Sequence, residues 1–195
     1  MKNTHDDSII LIGPSGAGKS TVANVFEKRG MPRICLDSIA NHARENKPKE
    51  RMEMIKDKAK REGKNFHDER NLSLIKPLVM LAEEKNIVAV CNFGAGHAIF
   101  DTDKGLEECK DILSGYKNIV LLLPCKDKEK ALEIMKSRST GDFSQNKSFI
   151  ESGCYEKLAT MTIYADDKTP EKIADEISAE IEKRKKNKDS VEIGE

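Results

Sequence analysis

Gly13-Pro14-Ser15-Gly16-Ala17-Gly18-Lys19-Ser20 decides how this chain is read. It satisfies the spacing G-x-x-x-x-G-K-[ST] at every fixed position. The run before it, Ile9-Ile10-Leu11-Ile12, is apolar and β-branched, as a buried strand would be. Residues 19–29 behind it carry a helical pattern. A strand that turns through such a loop into a helix makes an anion cradle. Glycines let the backbone curl until several N–H groups face one concavity. The helix start adds the positive end of its dipole. Lys19 then reaches the β- and γ-phosphates of a nucleoside triphosphate, and the Ser20 hydroxyl ligates Mg²⁺. Gly13, Ser15, Gly16, Ala17, Gly18, Lys19, Ser20 and Thr21 are the expected residues for ATP and Mg²⁺.

Outward from the loop, four more apolar runs follow: 33–36, 87–91, 119–123 and 161–165. They are continuous rather than alternating, which predicts strands covered on both faces. Helical patterns lie between them, at 38–46, 50–61, 66–85, 103–114 and 128–138. Pro77 is expected to kink or split the long one. The last helix has Thr169 as N-cap, Pro170 at its first position and Glu171 at the positive dipole end. Its stripe of Ile173, Ile177 and Ile181 faces a core. Strands alternating with helices imply right-handed crossovers between parallel strands. The expected fold is a three-layer α/β P-loop fold with a five-stranded parallel sheet, one domain over 8–182. The charged end, 183–195, is expected to fray, its Lys183-Arg184-Lys185-Lys186 run solvated.

Composition narrows the partners. The 195 residues are 35% charged and 37% hydrophobic, with a formal net charge of zero. That balance gives no argument for a nucleic acid or an acidic membrane, and neither is expected as a partner. No apolar run is long enough to cross a bilayer. A cytoplasmic monomer or homodimer acting on a small molecule is the expectation. Five cysteines without a C-x-x-C pair are expected as reduced, mostly buried thiols. His5, His42, His67 and His97 are scattered and predict no metal cluster.

In an open α/β sheet, ligands bind beyond the carboxyl ends of the strands. The second run ends at Asp37. A carboxylate there accepts a proton from a substrate hydroxyl or holds Mg²⁺ through water. Capping the 38–46 helix is its other reading. The third run ends in Asn92-Phe93-Gly94-Ala95-Gly96-His97, where small residues allow close approach of a ligand. The polar stretch at about 139–148 reads as a lid whose Arg138 or Lys147 closes over the phosphates, or as a plain surface loop.

In order along the chain, these residues resemble the shikimate kinase family of small P-loop kinases, over roughly 8–181. The phosphate loop matches. Asp37 matches the family's acceptor-binding Asp. Glu62-Gly63-Lys64-Asn65-Phe66-His67 resembles its G-E-x-x-F-R element. Gly94-Ala95-Gly96 stands where the family has three glycines. Tyr155-Glu156-Lys157-Leu158-Ala159 resembles its Y-x-x-x-A segment. The resemblance implies an ATP-dependent phosphotransferase acting on an alcohol group. Lys19 and Asp37 would be catalytic, Arg138 would help hold the nucleotide, and Asp37, His67, Gly94, Ala95 and Gly96 would line the acceptor pocket.

The departures are specific. His67 and Glu151 stand at or near two substrate-binding Arg positions, Ala95 replaces the middle glycine, and R-P-L-L is missing from the lid. Fixed guanidinium groups grip a carboxylate, so their replacement implies a different acceptor or a weakened shikimate site. A nucleotide-dependent switch without an acceptor is a rival reading, although no N-K-x-D follows an internal strand. A nucleotide or nucleoside kinase is another.

Overall fold

The computed structural model describes residues 4–45, 48–138 and 144–192. Five strands, β1 (Ile9–Ile12), β2 (Arg33–Cys35), β3 (Val90–Asn92), β4 (Ile119–Leu123) and β5 (Met161–Tyr164), form one sheet ordered β2-β3-β1-β4-β5. Every pairing is parallel, with Ile10 opposite both Cys91 and Ile119. The expected fold class is therefore the observed one.

The continuous apolar runs are explained by where alternate residues point. Ile9, Leu11, Val120, Leu122 and Ile163 enter one core, against α2 (Lys19–Lys28) and α10 (Pro170–Glu192). Ile10, Ile12, Cys91, Leu121 and Leu123 enter the other, against α5 (Phe66–Glu84), α6 (Asp103–Leu113) and α9 (Cys154–Leu158). Each buried Leu or Ile contributes about 1.5–3 kcal/mol, so neither face tolerates polar alternation. The helices α3 (Leu36–Glu45) and α4 (Pro48–Glu62) pack on α5 at the β2 end of the sheet. Two more, α7 (Lys128–Ser137) and α8 (Asn146–Glu151), stand beside the phosphate loop with their own small cluster. The short α1 (Thr4–Asp7) precedes β1. No helix of the described residues is long and apolar enough to cross a membrane.

Several elements depart from the sequence expectation. The second strand stops at Cys35, and fully buried Leu36 already opens α3, so Asp37 lies in the helix's first turn instead of preceding it. A carboxylate is favoured there by the helix dipole. The third strand runs Val90–Asn92, shifted from 87–91. Pro77 does not split α5. It lies on the exposed side, where water can hydrate the carbonyl that its missing N–H leaves unpaired.

The tail expected to fray from 183 instead continues α10 through Glu192. Its first turn beyond the stripe is tied down. Arg184 bonds Glu180 one helical turn back at 3.0 Å, and Lys185 reaches Asp7 at 2.6 Å. Of the 139–148 lid, residues 139–143 lie outside the described residues, and 146–148 open α8. All five cysteines are free thiols and four are buried. Burial pushes the thiols of Cys91 and Cys109 up to about 12.

Candidate active site

At the carboxyl end of β1 the chain must leave the sheet at once. Gly13 does so at φ +137°, and a Cβ there would stand 2.5 Å from the Leu122 carbonyl oxygen. Gly18, at φ +97°, delivers the chain into α2 with no side-chain cap. The first-turn N–H groups of α2 are thus left to an incoming anion. The loop borders a cleft of about 500 Å³.

Lys19 lies along the floor of this cleft, 7% exposed. Its Nζ donates to the carbonyls of Gly13 at 2.7 Å and Pro14 at 2.8 Å. Burial lowers its pKa from 10.5 to about 8, against the opposing pull of the Asp37 carboxylate. Beside it, the Asn92 amide on β3 donates to Ser20 Oγ at 3.0 Å. Asn92 is 2% exposed, and its Oδ1 has no hydrogen-bond partner. A buried, unsatisfied acceptor next to Ser20, a buried ammonium and an uncapped helix start fit a triphosphate with a hydrated divalent cation.

The facing wall comes from α3 and the turn after β3. Asp37 and Gly94 line the same cleft as the phosphate loop. A Cβ on Gly94 would come within 2.0 Å of Asp37 Oδ1. Glycine at 94 therefore makes room for the carboxylate itself rather than for a ligand. The Gly94 N–H donates to His97 Nδ1 at 3.2 Å, and that nitrogen lies 3.8 Å from Asp37 Oδ1. The Tyr155 hydroxyl, held up from α9, donates to the Ala95 carbonyl at 2.8 Å. Because the carboxylate and residue 94 share one space, Gly94→Ala is expected to displace Asp37. On a phosphotransferase reading of this cleft, that displacement should cut acceptor-dependent turnover by about tenfold or more and leave MgATP affinity nearly intact. Steady-state kinetics beside a binding titration reads this; unchanged turnover would separate Gly94 from Asp37's function.

Of the residues expected from sequence, Ser15, Gly16, Ala17, Gly18, Lys19, Ser20, Thr21, Asp37, Gly94, Ala95 and Arg138 all line this cleft. Gly13 lies beneath it as the Lys19 acceptor. His67 and Gly96 are not among the lining residues. Asn65 caps α5 with its side chain and places His67 in the first turn, where Nδ1 is 3.2 Å from Asp101 Oδ1. The Gly96 carbonyl is occupied by the Asn71 amide at 2.8 Å. Glu151 ends α8 in an exposed pair with Lys147, 3.9 Å apart.

One histidine does lie in an acidic group, contrary to the scattered spacing along the chain. His67, Asp68 and Asp101 place ligand atoms within 4.8 Å of one another. Both oxygens of buried Asp68, however, already accept bonds, from the Asp101 N–H at 2.7 Å and the Thr102 hydroxyl at 2.6 Å.

The sequence reading placed Asn92 and His97 in the turn after the third run without giving either a role, and did not mark Lys168. Asn92 carried a legible signal: a polar residue closing an apolar strand in a parallel sheet points at the ligand edge. Lys168 lines the cleft from the turn before α10 and bonds Glu176 at 2.7 Å, with no sequence pattern to mark it.

A glycine-rich phosphate loop between β1 and α2, with strand order 2-3-1-4-5, defines the fold as that of a small P-loop kinase of the shikimate kinase and gluconokinase type. Among solved structures, shikimate kinase from Acinetobacter baumannii in complex with shikimate is similar at TM-score 0.58 and 19% identity, covering 92% of this chain and 94% of that one. Shikimate kinase from Aquifex aeolicus is similar at TM-score 0.53 and 20% identity, covering 91% and 97%. A gluconokinase from Sinorhizobium meliloti is similar at TM-score 0.53 and 20% identity, covering 95% and 97%. Neither a protein-family model nor a curated protein sequence matches the chain.

Proposed function

We propose that this chain is an ATP-dependent phosphotransferase that moves the γ-phosphoryl group of MgATP to a hydroxyl of a small metabolite. The observation that carries this reading is one cleft lined by a glycine-rich loop with its buried Lys19 and by the carboxylate of Asp37. Phosphoryl transfer asks little of a protein beyond alignment and charge, and these two groups supply both. When bound, MgATP supplies the phosphoryl group and the cation that spreads its charge. The loop N–H groups hold the phosphates, and Ser20 with Asn92 holds the hydrated metal edge. Lys19 neutralises charge gathering on the phosphoryl oxygens. Asp37 accepts the proton of the attacking hydroxyl. Arg138, at the end of α7, helps hold the phosphates at the mouth of the cleft.

The acceptor differs from shikimate in this reading. His67 is engaged with Asp101, and Glu151 is paired with Lys147 outside the cleft lining, so neither supplies a guanidinium to grip a carboxylate. The Asp37 carboxylate itself disfavours an acceptor with an anionic group next to its reacting hydroxyl. Acceptor-dependent ADP release tests the proposal, with neutral polyols, sugars, hydroxy acids and nucleosides as separate pools. One hydroxyl-bearing class is expected to stimulate release at least a hundredfold over basal hydrolysis. The same slow rate with every pool would replace the kinase reading with that of a nucleotide-dependent switch.

A further inference from the structure

The outer turn of the phosphate loop is held by a part of the chain that neither sheet core reaches. Ala17, 1% exposed, packs into the separate cluster formed with Ala131 and Met135 of α7 and Ile150 of α8. Asn146, the first residue of α8 and 3% exposed, adds a polar contact across 131 positions of sequence. Its Oδ1 accepts from the Ser15 N–H at 3.0 Å, and its Nδ2 donates to the Ser15 carbonyl at 2.9 Å. One side-chain amide thus pairs with both backbone polar groups of one loop residue, as an adjoining strand would. Capping does not explain this placement, since Gln145 is the N-cap of α8 and no side chain caps that helix. The same Nδ2 lies 3.9 Å from Met135 Sδ, so the contact is seated on α7, the helix that ends at Arg138 in the cleft.

We propose that Asn146 is a positioning residue for the phosphate cradle, fixing the Ser15 peptide so that the loop N–H groups stay converged on the triphosphate. The proposal rests on the reading of the cleft as an ATP site. Asn146 acts through the loop and touches no reacting atom. A loop with glycines at 13, 16 and 18 has much backbone freedom to lose when an anion binds, and a clamp that removes it beforehand tightens binding. An amide is the group required, because Ser15 presents one donor and one acceptor. A carboxylate would keep the first bond, lose the second and add negative charge beside the phosphates.

Titration calorimetry with MgATP on the intact chain tests this, using the wild type, Asn146→Ala and Asn146→Asp. Asn146→Ala is expected to weaken binding by about tenfold and Asn146→Asp by on the order of a hundredfold. Asn146 is 3% exposed, so both variants should melt lower, and the titrations are run well below each melting temperature. A residue that only stabilised the fold would lower the melting temperature and leave the affinity of the folded protein alone. Hydrogen exchange at the Ser15 amide in the wild type needs no variant. It should be slowed at least tenfold against an unstructured chain, and exchange at the unprotected rate overturns the clamp. A wild type that binds and variants that bind within twofold of it also overturn the clamp, leaving the active-site reading intact. A wild type that binds neither MgATP nor MgADP overturns that reading and the clamp with it.

Discussion

Lys19→Ala is expected to lower turnover by on the order of a thousandfold or more while the protein still folds. The loss follows from removing a cation buried in the floor of the cleft, where low dielectric makes each charge count for more than in water. Stability should move the other way. In the folded protein the Lys19 ammonium has a pKa of about 8, against 10.5 when exposed. Below pH 8 both states hold the proton, and the buried charge costs the fold its full desolvation. Between pH 8 and 10.5 the unfolded chain binds more protons, so Lys19's contribution to stability rises with pH across that window. At neutral pH the alanine variant should therefore melt no lower than the wild type. Retained turnover in purified Lys19→Ala would remove Lys19 from the mechanism.

The same linkage gives nucleotide binding a pH signature. A triphosphate favours the charged form of Lys19, so binding above pH 8 must take up a proton. Affinity is expected to fall with rising pH beyond 8, approaching about tenfold per unit. Calorimetry in two buffers of different ionisation enthalpy counts the proton directly. Lys19→Ala should show no uptake, and an equal uptake in the variant would assign the proton to another group.

Asp37→Asn is the second large effect, and its character differs. A positioned general base is worth about a hundred- to ten-thousandfold. The asparagine variant should lose turnover in the lower part of that range. Its MgATP affinity should stay within about twofold, because the phosphate cradle is built from the loop and α2. Asparagine keeps the shape that Gly94 accommodates and loses only the charge and the basic oxygen. Unchanged turnover would reduce Asp37 to a first-turn carboxylate favoured by the dipole of α3.

Much of this architecture was legible in the sequence because its determinants are contiguous. The phosphate loop is written in eight adjacent residues, and a backbone cradle needs only its own glycines and the helix behind it. Unbroken apolar runs announce strands covered on both faces, since alternate residues of β1 feed both cores. The parallel sheet follows from strands separated by helices.

Tertiary structure decided the rest, for reasons that no local pattern encodes. Asp37 lines the cleft because buried Leu36 carries the chain into α3 two residues early, and because Gly94, after a different strand, vacates the space. His67 held the right sequence position, but the cap at Asn65 gave it Asp101 as a partner. The end of α10 continues because Asp7, at the opposite end of the chain, supplies a partner for Lys185. The bond from Asn92 to Ser20 and the contact of Asn146 with Ser15 became visible only when β3 and α8 were packed against the loop. The sequence by itself thus determined the sheet and the place of the glycine-rich loop, both products of residues adjacent along the chain. Which side chains line the cleft beside that loop was decided by packing between distant segments, where burial and the satisfaction of polar groups, not spacing, select the partners.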